Sequence, residues 1–276
     1  MRVLVVNDDG PEEPALWNLV DALRDHHDVR VYVPSRNYSG AGMSIALEST
    51  FEVRRVVPPG ERLAAVLAYT VNAPPSQVTC VGCERAFPEA PQLVIAGINL
   101  GWNPGEQPYV VSGTAGAARA AVDRGITGVA VSVPYEGRAT IPYVAAGVAR
   151  MVQALHDADA LHPAVFINVN VPKTFGPGST ARLTRPSRMT LFEGASVSAG
   201  VGDDELTTVE LTFGDYAAGE IHPGDEMEAL RDGAAAVVVT HARSGLPFND
   251  EPWLSIAAAF GDAVISPLAL EGSEHQ

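Results

Sequence analysis

Cysteine is nearly absent from this chain: 276 residues hold two, Cys80 and Cys83. Their Cys-x-x-Cys spacing would suit a redox pair or half of a zinc site. No second cysteine pair exists, and the seven histidines show no matching spacing, which argues against a Cys/His metal module. Two thiols on a helix facing a core or groove is the plainer reading, and low cysteine usage fits a reducing compartment. Long apolar runs are missing too. Met1 to Val6 is too short for a signal segment and has no cleavage site after it. No later stretch approaches the roughly 18 apolar residues of a membrane span. The expectation is a cytoplasmic protein without membrane contact. Positive charge is scarce: 18 Lys and Arg against 33 Asp and Glu give a net −15. Such a surface repels nucleic-acid phosphates and anionic lipid, so no nucleic-acid duplex is expected as a partner. A phosphate-bearing substrate would need a locally neutralised pocket, and a bound cation is the simplest way to supply one.

What is present reads as a globular α/β chain. The 46% hydrophobic and 18% charged contents are those of a packed protein. Val3–Val6 is a continuous apolar run suited to a strand buried on both faces. Pro14 to His26 carries Leu16, Leu19, Val20 and Leu23 at helical spacing, and Val29–Val33 is a second strand. The alternation continues with strands at Leu93–Ala96, Val129–Val133 and Val165–Val169, and helices at Ala115–Arg124 and Tyr143–Leu155. This predicts a doubly wound, mostly parallel, Rossmann-like sheet. From about Arg182 the texture changes: Thr207 to Phe213 alternates like a half-buried antiparallel strand, and Ala234 to Val239 reads as one more buried strand. Residues 1–276 are expected to form one domain, with 182–276 an irregular, partly antiparallel appendage.

Three polar loops follow predicted strands. Asn7-Asp8-Asp9-Gly10 comes directly after the first. Adjacent carboxylates repel unless something positive sits between them, and a cation with oxygen ligands relieves that repulsion. An acidic turn that caps the next helix is the competing reading. The second loop, Pro34 to Ser44, is rich in hydroxyls, amides and glycine; it could face an anion or ligate a metal, or be a surface loop. The third, Gly97 to Gly105, runs on through Glu106 and Gln107 to Ser112-Gly113-Thr114, which opens a helix. A helix N-terminus suits phosphate, and Ser112 or Thr114 could equally be an N-cap. Loops at the ends of parallel strands should converge on one edge of the sheet.

Together these loops resemble the SurE family of survival proteins, which act as 5′- and 3′-nucleotidases. The family pattern is Asn-Asp-Asp-Gly, an Arg-Asn-x-Ser-Gly loop, and Ser-Gly-Ile-Asn-x-Gly-x-Asn-x-Gly leading to Ser-Gly-Thr. Here these stand at residues 7–10, Arg36 to Gly40, Ala96 to Gly105 and Ser112 to Thr114, with further similarity at Asn168 to Pro172 and Leu183 to Arg185. The likeness covers most of the first 190 residues. It implies that Asp8, Asp9, Ser39 and Asn99 ligate a divalent cation, usually Mg2+ or Mn2+, which agrees with an all-oxygen donor set. It also implies a homodimer or homotetramer, with a C-terminal hairpin exchanged between subunits. The chain departs from the pattern in four ways. Glu106-Gln107 replaces Asp-Asp, the third loop is one residue longer before Ser112, Ser76 stands for an Asp, and Ala15 stands for a Gly.

The resulting expectation is metal-assisted hydrolysis of a phosphate monoester, probed at named residues. Asp8 would align or deprotonate water; Asn103, Ser44 and the Ser112, Gly113 and Thr114 amides would hold phosphoryl oxygens. Glu106 would protonate the leaving alkoxide, with His241 a second candidate for proton transfer. The alternative is a degenerate SurE-like protein that binds metal and nucleotide with little or altered turnover. A metal-dependent glycosyltransferase is a third reading, since paired Asp after a strand also suits a nucleotide-sugar diphosphate.

Overall fold

The computed structural model describes residues 1–162, 165–189, 192–197, 209–213, 221–241 and 252–261. The strands are β1 (Arg2–Val6), β2 (Asp28–Pro34), β3 (Val53–Val56), β4 (Leu67–Val71), β5 (Leu93–Leu100), β6 (Thr127–Val133), β7 (Val165–Asn170), β8 (Ala181–Leu183), β9 (Phe192–Val197), β10 (Val209–Phe213) and β11 (Ala235–His241). The helices are α1 (Pro14–Leu23), α2 (Gly60–Leu63), α3 (Pro75–Arg85), α4 (Glu106–Val111), α5 (Gly113–Val122), α6 (Ile141–Asp157), α7 (Glu226–Arg231) and α8 (Trp253–Phe260), with a short 3-10 helix at Tyr135–Thr140.

Nine strands form one sheet in the order β3-β4-β2-β1-β5-β6-β7-β11-β8. Pairing is parallel except at β3–β4 and β11–β7. The apolar run of β1 is explained by burial on both faces: Val3 and Val5 belong to the core under α1 and α6, Leu4 and Val6 to the core under α3 and α5. Helices on both faces make this an α/β doubly wound protein. The chain passes from β1 outward to β2 and returns to β5 on the other side of β1, so strand order reverses at β1. In open α/β sheets ligands bind beyond the strand ends at such a point.

The region after Arg182 supplies β8 and β11 to the main sheet and a separate antiparallel ribbon, β9–β10. The ribbon covers part of the expected Thr207–Phe213 strand; Thr207 and Thr208 lie outside the described residues. Among the described residues no helix is long and apolar enough to cross a membrane.

Candidate active site

The polar loops follow β1, β2 and β5, which are neighbours in the sheet, and hydrogen bonds tie them together. Asn7 closes the first loop on itself: its Nδ2 donates to Gly10 O at 2.7 Å and its Oδ1 accepts Gly10 N–H at 3.1 Å. That turn forces Asp8 and Asp9 off the end of β1, and Gly10 takes φ +94°, a region glycine favours. Tyr38 N–H donates to Asp8 O at 2.7 Å, which joins the second loop to the first.

Asp8 is buried and sits on the N-terminus of α5. Thr114 Oγ1 donates to Asp8 Oδ1 at 2.5 Å, and a Cβ at Gly113 would lie 2.6 Å from Asp8 Oδ2. Burial raises the Asp8 carboxyl above its ordinary value, opposed by the Thr114 hydroxyl and backbone. Asp9 accepts Asn37 Nδ2 at 2.9 Å through Oδ1, while its Oδ2 is buried without a hydrogen bond. Burial first, then the charges of Asp8 and Glu13, push Asp9 up to about 7, against the Asn37 hydrogen bond and Arg138. Neither aspartate forms an ion pair among the described residues.

Ser39 is exposed, and its N–H donates to Asn37 Oδ1 at 2.8 Å. Asn37 therefore bridges Asp9 and Ser39. Sequence reading passed over it, although it lies inside the Arg-Asn-x-Ser-Gly motif. Asn99 sits in β5 just past a register shift against β6. Its Nδ2 donates to Gly101 O at 2.8 Å, which leaves Oδ1 as the side-chain acceptor. Among the described residues no group of three or more His, Cys, Asp or Glu side chains could hold a metal. A cradle here would therefore have to combine the two carboxylates with Ser and Asn oxygens. The residues fit a hard cation: all the donors are oxygens, the carboxylates form no ion pair among the described residues, and one buried carboxylate oxygen is orphaned.

The remaining expected residues divide. Asn103 is buried at the same edge, its Nδ2 donating to Ser132 Oγ at 2.9 Å. Ser112 Oγ accepts Ala115 N–H at 3.1 Å as the N-cap of α5, so the capping reading of the Ser-Gly-Thr trio holds alongside its closeness to Asp8. Glu106 is exposed at the start of α4, its N–H bonded to Ser187 O at 3.1 Å. Ser44 is exposed, and its carbonyl accepts Ser76 Oγ at 2.5 Å. The Ser76 that replaces an aspartate thus anchors the second loop to α3. Cys80 and Cys83 lie on α3 with Cys83 buried; burial pushes the Cys83 thiol up to about 12. His241 needs correcting. It ends β11, which runs antiparallel to β7 with Ala236 opposite Asn170 and His241 opposite Val165. Asn170 lies at the site edge, so His241 lies at the other edge, five residues or roughly 17 Å away. The reversed direction of β11 was invisible in a featureless apolar run.

A doubly wound sheet with oxygen-rich polar loops at its switch point defines the class: an α/β protein whose candidate ligand site lies beyond the carboxyl ends of its central strands. The family model "Survival protein SurE" matches residues 3–192, and this chain belongs to the SurE family. A 5′-nucleotidase SurE of Dehalococcoides mccartyi is 33% identical over 177 residues, 62% of this chain and 64% of that protein. The chain thus spans just under two thirds of that relative. A 5′-nucleotidase SurE of Magnetococcus marinus is 29% identical over 87% of this chain and 92% of its own. The crystal structure of the SurE protein from Aquifex aeolicus matches with a TM-score of 0.72 at 24% identity, covering 88% of this chain and 94% of that one, a likeness of fold.

Proposed function

We propose that this protein hydrolyses nucleoside monophosphates, with a divalent cation, Mg2+ or Mn2+, held by Asp8, Asp9, Ser39 and Asn99. The observation that carries the reading is the adjacent Asp8–Asp9 pair, Asp8 buried and Asp9 half-buried, with no ion pair among the described residues and one orphaned oxygen. It is supported by relatives named 5′-nucleotidase or 5′/3′-nucleotidase. The cation, when bound, acidifies water and offsets charge on a phosphoryl group. Asp8, locked by Thr114, aligns the attacking water and takes its proton. Asn103 and the α5 N-terminus hold phosphoryl oxygens, and Ser44 lies on the loop beside them. Glu106, one methylene longer than aspartate and exposed, protonates the leaving alkoxide. The setting is cytoplasmic, with thiols left free, and the assembly a homodimer or homotetramer.

A degenerate, non-catalytic protein is the weaker reading, because the departures at Ser76, Glu106 and Gln107 leave all four cradle residues in place. The test is phosphate release from a panel of nucleoside monophosphates and other phosphomonoesters, with and without divalent metal. Metal-dependent release from nucleotides is expected; none from any substrate would reject the reading.

A further inference from the structure

Outside the cradle, one cluster of buried polar groups lies beneath the 99–105 loop, and its centre is Glu226 at the start of α7. Glu226 is fully buried. Its Oε2 accepts Gly105 N–H at 2.7 Å and Ser187 N–H at 3.4 Å; its Oε1 accepts Asn170 Nδ2 at 3.0 Å. Asn170 passes the contact on, its Oδ1 accepting Asn103 N–H at 2.9 Å. Asn168 Nδ2 donates to Asn103 O at 3.0 Å, so the Asn103 backbone is gripped on both sides. Ser187 also reaches the loop from its other face, its carbonyl accepting Glu106 N–H at 3.1 Å. The Tyr109 hydroxyl lies close to Glu226 and Asn168 without a hydrogen bond of full geometry.

The relay has a direction. A carboxylate offers only acceptors, whereas an amide has one donor end and one acceptor end. With Glu226 accepting on both oxygens, Asn170 must turn its NH2 toward Glu226 and its oxygen toward Asn103. Burying a carboxylate is costly unless it is well paired, yet every group that it meets here is a donor from the loop or from the segments that brace it. We propose that Glu226 is a positioning residue that sets Asn103 and Gly105, directly and through Asn170, for contact with the substrate phosphate. The contact of Asn103 with phosphate rests on the function proposed above; the relay does not.

Glu226→Gln reverses the polarity at one end. Its NH2 must face either the Gly105 and Ser187 N–H groups or the Asn170 NH2, and if Asn170 flips, its NH2 meets Asn103 N–H. Moving the carboxylate instead, with Glu226→Gln plus Asn170→Asp, restores a donor for every acceptor and keeps the charge. Three proteins are compared by steady-state kinetics on nucleoside monophosphates and by amide hydrogen exchange at Asn103 and Gly105. The single variant should lose about 10- to 100-fold in kcat/KM, mostly in kcat, along with protection of the Asn103 amide. The swap should recover most of both. A folded Glu226→Gln protein with wild-type kinetics and protection overturns the proposal. So does a swap that regains protection, and hence structure, but not kcat. If Glu226→Gln does not fold, the swap decides alone: wild-type protection and kcat uphold the relay, and their loss overturns it. If the wild type hydrolyses no phosphomonoester, the function reading falls, and the exchange data still decide the relay.

Discussion

Asp9 carries the sharpest chemical consequence at the scale of single residues. Without a cation its carboxyl is held up at about 7, chiefly by burial and by Asp8. A cation binds the ionised form, so below that pH binding must expel a proton. Affinity for Mg2+ or Mn2+ is therefore expected to climb as pH rises toward about 7 and then level off. Calorimetric titration at pH 6, in buffers of differing ionisation heat, should report about one proton released per cation, and almost none at pH 8.5. A buffer-independent heat at pH 6 would contradict this account of Asp9.

At the scale of elements, the site depends on how closely α5 approaches the end of β1. Gly113 has no room for a side chain, because a Cβ would stand 2.6 Å from Asp8 Oδ2 and 2.8 Å from Asp8 Cβ. Gly113→Ala should displace Asp8 or α5, at a cost of about 1–3 kcal/mol in stability and at least tenfold in kcat/KM. Thermal melting together with kinetics checks both; an unperturbed enzyme would mean that this contact is not the one that seats Asp8. The elements also separate what was legible from what was not. β1, β5, β6 and β7 could be read because burial on both faces makes them unbroken apolar runs. β3 could not: Val-Arg-Arg-Val is an exposed edge strand, paired on one side only by β4. α3, with Ser76, Gln77, Thr79 and Gly82 among its residues, has little apolar periodicity to betray it. The proposed ligands Asp8, Asp9, Ser39 and Asn99 could be named because their motifs survive in this chain. Glu226 was not, because a lone Glu gains meaning only when the fold brings it to Gly105, 121 residues earlier.

Across the whole molecule, two carboxyls, one half-buried and one fully buried, share a pH signature. Asp9 and Glu226 are both pushed up to about 7, from 3.8 and 4.5. Between the unfolded and folded values the native state keeps protons that the unfolded chain has lost, so stability is greatest below the lower value and falls as pH rises through about 7. The net charge of −15 acts in the same direction, since self-repulsion grows as carboxyls ionise. The chelated protein should melt at lower temperature at pH 7.5 than at pH 5.5, and a divalent cation should restore more at the higher pH. A melting temperature that rises with pH in chelator would contradict the assignment of these two groups.

The central claim is that Asp8, in a cation cradle at the β1 switch point, performs phosphomonoester hydrolysis. Asp8→Asn keeps the size of the side chain and the partner for Thr114 but removes the charge and the proton acceptor. The most direct measurement is kcat/KM for nucleoside monophosphates in saturating Mg2+ or Mn2+, wild type against Asp8→Asn, with circular dichroism to confirm the fold. The account predicts near-complete loss of turnover in a folded variant, whereas wild-type turnover from Asp8→Asn would contradict it.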